Sequence, residues 1–505
     1  MESKIGRRGF LKGSLSFGAF MVSLPLMNFL PNKDIVSISE SNLFSLSKKD
    51  MEKILSIALS RGGEFAEIYF EYTVSNSISL DEEKISYAVR GVDCGVGIRV
   101  INGERTGYAF TDEITFNSLK ECAETASLIA SGIKGKPKGL RTFQPPSYYL
   151  VKVPPQNVPA KEKTSLLYRI NEVARKFDKR ITQVSASFSD ISKSIIIANS
   201  EGLYVEDKQT LTRLSGSVNA IEGERRSNGY DSKSGSFGFE HFGEKVAEEI
   251  ARNASEMALR LIPAEDAPAG EFPVVIEKGY GGIFFHEAIG HSLEGDGIRK
   301  KTSVFWDKLG KQIASPIVNL CDDGSYKGGW GTVNVDDEGT PGQKTILIEK
   351  GICSNFLQDR LNAKLMKMKP TGNGRRQSFR FYPIPRMTNT YLLPGDSDPE
   401  EIIRSVEKGV YIAKIGGGNV QPTTGRFVFT VTEGYMIENG KITVPLKGIM
   451  LMGSGQEVLM NITMVGNDLL VIGGGTCGKD GQSKPVGFGN PTFKVSKITV
   501  GGRKI

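Results

Sequence analysis

RFVFTVTEGYMIENGKITVPLKG, residues 426–448, reads as strand and turn, and it sets the character of the chain after about Phe305. The stretches around it are of the same kind. SYKGGWGTVNV (325–335), EGTPGQKTILIEKG (338–351) and DLLVIGGG (468–475) are short β-type runs broken by turn residues. The chain holds 59 glycines, and they are dense here. The pattern predicts a mostly β C-terminal domain, barrel- or sandwich-like, over residues 270–505. Its beginning differs: PVVIEKGYGG (273–282) is a strand that leads into a helix.

Upstream, the periodicity changes. LSKKDMEKILSIALS (46–60) has apolar residues at helical spacing, with Ser47 placed to cap it. AEIYFEYTVSNSISL (66–80), KISYAVR (84–90) and CGVGIRVINGERTGYAF (94–110) are strand-like, with Asn102-Gly103 as a hairpin turn. A helical pattern returns from about Ile114 to Ala130. The segment at about 133–160 is rich in Gly, Pro and Lys and reads as a linker. A second helix–strands–helix unit follows, opening with AKEKTSLLYRINEVARKF (160–177) and closing with EHFGEKVAEEIARNASEMALRLI (240–262). The fold class is therefore α+β: an N-terminal α/β layer region over 45–265, as one domain or two related ones, then the mostly β domain.

A chain of 505 residues is too long for one hydrophobic core. Hydrophobic residues at 39% and charged residues at 24% fit a globular body. The formal net charge is +7, of which Lys4, Arg7, Arg8 and Lys12 against Glu2 supply +3. The remainder is too small, over too many residues, to argue for nucleic acid. Five scattered cysteines without a CxxC pair do not make a disulfide scaffold. Residues 1–32 open MESKIGRRGFLKGSLSFGAF and read as a twin-arginine export signal: Arg7-Arg8, then a weakly apolar run to about Leu30 broken by Pro25. A periplasmic location is expected, with tethering to the membrane if the signal is left uncut. No later segment has eighteen consecutive apolar residues.

Histidine is scarce, and two of the three, His286 and His291, fall within six residues. The stretch GGIFFHEAIGHSLEGD (281–296) contains H-E-x-x-x-H, one residue longer than the H-E-x-x-H zinc motif. Positions four apart on an α-helix lie about 40° from each other around the axis, and positions five apart about 140°. Both imidazoles reach one ion only if the helix is distorted. A π-turn restores alignment, and Gly290 makes it cheaper. Zinc accepts His nitrogen and Cys sulfur, and a catalytic site keeps one position for water. Cys477, in a glycine-rich turn after an apolar strand, is the best further ligand, although taken alone it reads more readily as a buried inert cysteine. Glu287 would serve as general base to water at the Zn2+ ion's open position. Glu294 and Asp296 are candidates for a fourth ligand, for orienting the ligands, or for a solvated helix end. His241 reads as a surface or capping residue. Gly473–Lys479 has the skeleton of a phosphate-binding loop, but Asp480 replaces the required Ser/Thr and GQSKPVG cannot be the following helix, so no nucleotide is expected.

Three long motifs in order, FFHEAIGHSLEGD (284–296), GNGRRQSFRFYPIPRMTNTYL (372–392) and GTCGKDGQSKPVGFG (475–489), resemble the TldD/PmbA family on its TldD side. The likeness runs from about residue 45 to the end. It implies a zinc metallopeptidase acting on small or unfolded peptides inside a dimer cavity, with the peptide held as an added β-strand. It implies His286, His291 and Cys477 as ligands and Glu287 as base. Arg386 and Asn389 would bind peptide backbone or a carbonyl oxygen, or else be a structural strand and turn. The expected assembly is a homodimer or a heterodimer with a PmbA-like subunit. The export signal departs from the familiar relatives, which are cytoplasmic. Two other readings remain: a non-catalytic subunit or scaffold with a closed, structural metal site, and a metal hydrolase acting on other amides.

Overall fold

The β-type runs of the C-terminal half close on themselves. The computed structural model describes residues 46–130, 132 and 134–502, so the export signal expected at 1–32 lies outside the described residues. Five strands form a ring: Lys408–Gln421 pairs with Gly270–Ile276, which pairs with Phe493–Gly501, then Met450–Ser454, then Arg426–Glu438, which returns to Lys408–Gln421. The α+β class holds, and of the barrel and sandwich alternatives the barrel is the one built.

The segment 282–293 packs against this ring. Phe284, Phe285, Ala288, Ile289 and Leu293 are all buried in a core shared with Phe427, Phe429, Leu451 and Phe493. Phe284 meets the Phe427 ring at 5.2 Å and Phe285 meets Phe493 at 5.2 Å. Each such ring taken out of water contributes about 1.5–3 kcal/mol, so the apolar face holds the segment firmly. The residues between, His286, Glu287 and His291, are left on the other side. A Cβ at Gly282 would lie 2.2 Å from the backbone N of Gly489, so only glycine lets the helix start this close to the strand Gln482–Asn490.

That strand belongs to a second sheet of six, in the order Ile352–Cys353, Lys344–Glu349, Leu320–Asp323, Asn389–Leu392, Gln482–Asn490, Leu470–Lys479. The last two are an antiparallel hairpin that sets Cys477 opposite Lys484. Asp480 and Gly481, both at positive φ, make its turn, where a phosphate-binding loop would need a helix.

The N-terminal region is one seven-stranded sheet. Phe65–Asp81 lies between Lys84–Asn102 and Ile181–Asn199, so strands from both sides of the 133–160 segment are joined. Ser47 caps the helix Lys48–Ala58, its Oγ accepting from the Asp50 N–H at 3.2 Å. The helices Ala160–Phe177 and Glu244–Leu261 share a core with Phe188, Leu214 and Val218 of the sheet. A buried ionic network ties this sheet to the C-terminal half. Arg99 pairs with Glu67 at 2.8 Å and Glu338 at 2.5 Å, Arg376 pairs with Glu67, and Lys484 pairs with Asp337 at 3.1 Å. The network thus ends on the residue facing Cys477. Among the described residues no helix is long and apolar enough to cross a membrane.

Candidate metal centre

His286–Gly290 is a π-helical turn, flanked by the α-helical Gly282–Phe285 and a 3-10 turn at His291–Leu293. This is the distortion that the five-residue histidine spacing predicts, and it brings the rings together, with centroids 5.1 Å apart. The turn is packed tightly: a Cβ at Gly290 would fall 2.0 Å from Met387 Sδ.

Cys477 arrives from the hairpin. Its Sγ lies 3.2 Å from His291 Nε2, and the ligand atoms of His286, His291 and Cys477 all fall within 4.8 Å of one another. Zinc bonds of about 2.0–2.3 Å in a tetrahedron set ligand atoms about 3.3–3.8 Å apart, so a small closing movement suffices. The donor set fits such an ion on a further count. Both ring nitrogens of His286 are buried and have no hydrogen-bond partner among the described residues, a costly state for an imidazole unless one of them binds something. Burial raises the Cys477 thiol, but the two imidazoles beside it pull it down to about 4, so the sulfur is poised as the thiolate that a metal requires.

His291 is oriented from behind. Its Nδ1 lies 3.1 Å from Glu294 Oε2, at the ring end away from Cys477. Burial alone would lower the imidazole, but the Glu294 carboxylate raises it well above its usual value. Glu294 itself is pushed up by burial and drawn down more strongly by Lys479 and His291, to about 2. Glu294 thus addresses the back of the ring and is not placed as a fourth ligand. Asp296 pairs with Lys479 at 2.7 Å, and Lys479 also reaches Glu294 at 3.0 Å. Lys479 was missed by sequence reasoning, although alternation along a strand puts it on the same face as Cys477, two residues earlier.

Arg386 and Asn389 take the structural reading. Both are 0% exposed, and neither faces open space. Arg386 donates to the carbonyls of Cys477 at 2.6 Å and Gln482 at 3.1 Å. Asn389 donates to the Asp323 carbonyl at 2.7 Å and accepts from the Gly331 N–H at 3.0 Å. These side chains fix the ligand-bearing hairpin and its sheet, which is the structural one of the two readings the sequence left open. His241 stacks on Phe237 at 4.7 Å, remote from the centre in role.

Glu287 Oε2 stands 3.8 Å from His291 Nε2, with its side chain 23% exposed. It lines two cavities. The larger, about 840 Å³, also takes in His286, Tyr280 and Gly473–Thr476. The smaller, about 550 Å³, takes in His291, Glu294 and Gly478–Asp480. Along both runs the segment Ile415–Gln421: Gly416 and Gly417 border the larger cavity, Asn419 and Val420 the smaller. This segment pairs with Arg426–Val431 on one side, whereas its pairing with Gly270–Ile276 stops at Ile412. Its other edge has no strand partner among the described residues. The arrangement brings a cysteine sulfur, two imidazoles and a carboxylate around one point, with a cavity on either side.

Residues 66–130, 153–262 and 269–502 match the models for PmbA/TldA metallopeptidase domain 1, central domain and C-terminal domain. A metalloprotease TldD homolog of Haemophilus influenzae is 41% identical over 91% of this chain and 97% of its own length. A zinc metalloprotease TldD homolog of Saccharolobus solfataricus is 30% identical over 90% of this chain and 100% of its own. In fold, the chain is similar to TldE from Thermococcus kodakarensis, with a TM-score of 0.71 at 20% identity over 90% of this chain and all of that one. A Thermotoga maritima protein described as a modulator of DNA gyrase gives a TM-score of 0.74 at 23% identity, over 90% of this chain and 100% of that one.

Proposed function

The chain belongs to the PmbA/TldD metallopeptidase family, and from that premise we propose that it hydrolyses peptide bonds in peptides or unfolded segments, with a zinc-like ion held by His286, His291 and Cys477. The observation that carries the reading is the convergence of those three ligand atoms within 4.8 Å beside a carboxylate, Glu287, that faces open space. When bound, the ion supplies Lewis acidity toward the scissile carbonyl and toward water. Glu287 takes the proton from the attacking water on its carboxylate and delivers it to the leaving amine nitrogen. Glu294 keeps His291 Nδ1 engaged, so that Nε2 is the nitrogen presented to the ion. Arg386 holds the Cys477 carbonyl and so fixes the strand that presents the sulfur.

The free edge of Ile415–Gln421 is the place for a substrate strand. Peptide main chain added there would run from one cavity to the other and pass Glu287 where they meet. Affinity from main-chain bonds fits weak sequence preference. Alternate N-methylation of a substrate peptide should then block cleavage where side-chain changes do not. The reading as a scaffold with a closed metal site is not favoured, because Glu294 addresses the back of His291. A twin-arginine route to the periplasm is supported by Arg7-Arg8 and the apolar run after it. Assembly as a homodimer, or with a PmbA-like subunit, is proposed from membership of the family.

The test is Glu287→Gln. The variant should keep its metal and lose peptide hydrolysis by about 10²–10⁴-fold, the range for removal of a positioned acid–base group. Full activity in that variant, or hydrolysis that persists after the metal is stripped, would sink the mechanism.

A further inference from the structure

The larger cavity is lined by an excess of basic side chains. Five basic side chains line it, Arg213, Arg225, Arg226, Lys414 and Lys447, against two acidic ones, Glu224 and Glu287. Two of the five have carboxylates nearby: Glu433 lies 3.9 Å from Lys414, and Asp266 lies 3.8 Å from Lys447. The three arginines have no ion-pair partner among the described residues. Arg213 is the one next to the ligand strand. It donates to the Gly474 carbonyl at 3.2 Å and to the Tyr230 hydroxyl, while its Nε is buried with no partner. Arg225 and Arg226 stand exposed on the adjoining hairpin between Leu203–Glu222 and Arg225–Gly235. Guanidinium groups without ion-pair partners, in excess over the carboxylates that line the same cavity, make a field that attracts carboxylates from solution.

From this wall we infer that the enzyme selects peptides carrying carboxylates on the side of the scissile bond that occupies the larger cavity. The inference rests on the peptidase reading above and adds a substrate class to it. Main-chain pairing along Ile415–Gln421 does not discriminate sequences; the arginine wall does. The carboxylate comes from Asp or Glu side chains or from the peptide's own C-terminus, and the two sources are separable.

The test uses the metal-loaded full chain and peptides that differ only in carrying two Glu, two Gln or two Lys, each with a free or an amidated C-terminus. At low salt the Glu peptide should exceed the Gln peptide in kcat/KM by about tenfold, the low end for charge-lined clefts, and the Lys peptide should fall below both. The advantage should shrink as salt rises, because Arg225 and Arg226 are exposed and screened. A Glu-over-Gln ratio assigns the preference to side chains; a free-over-amidated ratio assigns it to the terminus. R225Q/R226Q, which alters only an exposed hairpin end, and R213Q should each bring these ratios toward one. Equal cleavage of all six peptides, a preference for Lys, or ratios unmoved in both variants would overturn the inference and leave the peptidase reading standing. Cleavage of none of them would remove that reading, and the inference with it.

Discussion

Glu294→Gln is the most informative single change near the metal. The glutamine keeps the size of the side chain and can still accept from His291 Nδ1, so the ring is not released. What it loses is charge at a position only 2% exposed, 3.1 Å from Nδ1 and 3.0 Å from Lys479 Nζ. A carboxylate behind a ligating imidazole raises the basicity of the nitrogen that faces the ion, and its removal costs about 10–100-fold in metal affinity. That is about 1.4–2.7 kcal/mol at about 1.36 kcal/mol per decade. Removing one partner of a buried ion pair costs about 3–5 kcal/mol of stability when the other charge is stranded. Lys479 is not stranded here, because Asp296 remains 2.7 Å away, so the stability loss should fall below that range. The assay is competition for zinc against a chromophoric chelator, with denaturant unfolding of the metal-free protein alongside. Asp296→Asn is the control: it shares Lys479 but does not touch His291, and it should change affinity only a few-fold. A folded Glu294→Gln protein with wild-type affinity would refute the orienting role, as would equal losses in the two variants.

Other outcomes follow from the same geometry. Gly290→Ala drives a methyl into Met387, which is 0% exposed, and should cost about 1–3 kcal/mol in denaturant unfolding while weakening metal binding through the displaced His291; unchanged stability and affinity would contradict the packed π-turn. Lys163→Met breaks a buried pair, 2.6 Å apart, that ties the helix Ala160–Phe177 to Asp190 of the N-terminal sheet and includes no ligand residue, and should cost up to about 3–5 kcal/mol with metal affinity intact; a parallel loss of affinity would show coupling that the structure does not provide. Asp359 is held up to about 7 by burial and then by the neighbouring Glu338 carboxylate, against 3.8 unperturbed. The fold therefore binds a proton there that the unfolded chain has released, and this group's contribution to stability is lost as pH rises through that interval. Asn can still cap the helix Arg360–Met366, so the stability of Asp359→Asn relative to wild type should increase between pH 5 and pH 8 in urea midpoints; an offset that is the same at both pH values would count against it.

Much of the centre was legible in the sequence, for local reasons. A spacing of five between two histidines, with a glycine before the second, leaves the helix few ways to align them, and the π-turn is one. The strand character of the C-terminal half was equally local. Whether those strands closed was not, because closure depends on Gly270–Ile276 pairing with Phe493–Gly501, more than two hundred residues away. The joining of the N-terminal units was hidden likewise, since Glu67 pairs with Asn199 across the linker-like segment. Arg386 and Asn389 stayed open between two readings because a charged or amide residue in a dense motif can equally await a ligand or tie down backbone. Burial decides between them, and burial is a property of the packed layers, which periodicity around residues 386–389 does not convey. Lys479 could have been found by stepping two residues along the Cys477 strand.

The claim on which the rest stands is a cation bound by two imidazoles and the sulfur of Cys477, with room left for water. X-ray absorption at the metal edge of the purified, metal-loaded protein tests it directly. The spectrum should contain one sulfur at about 2.3 Å and nitrogen or oxygen scatterers at about 2.0–2.2 Å, and Cys477→Ala should lose the sulfur shell alone. A spectrum with no sulfur, or one that Cys477→Ala leaves unchanged, would contradict it.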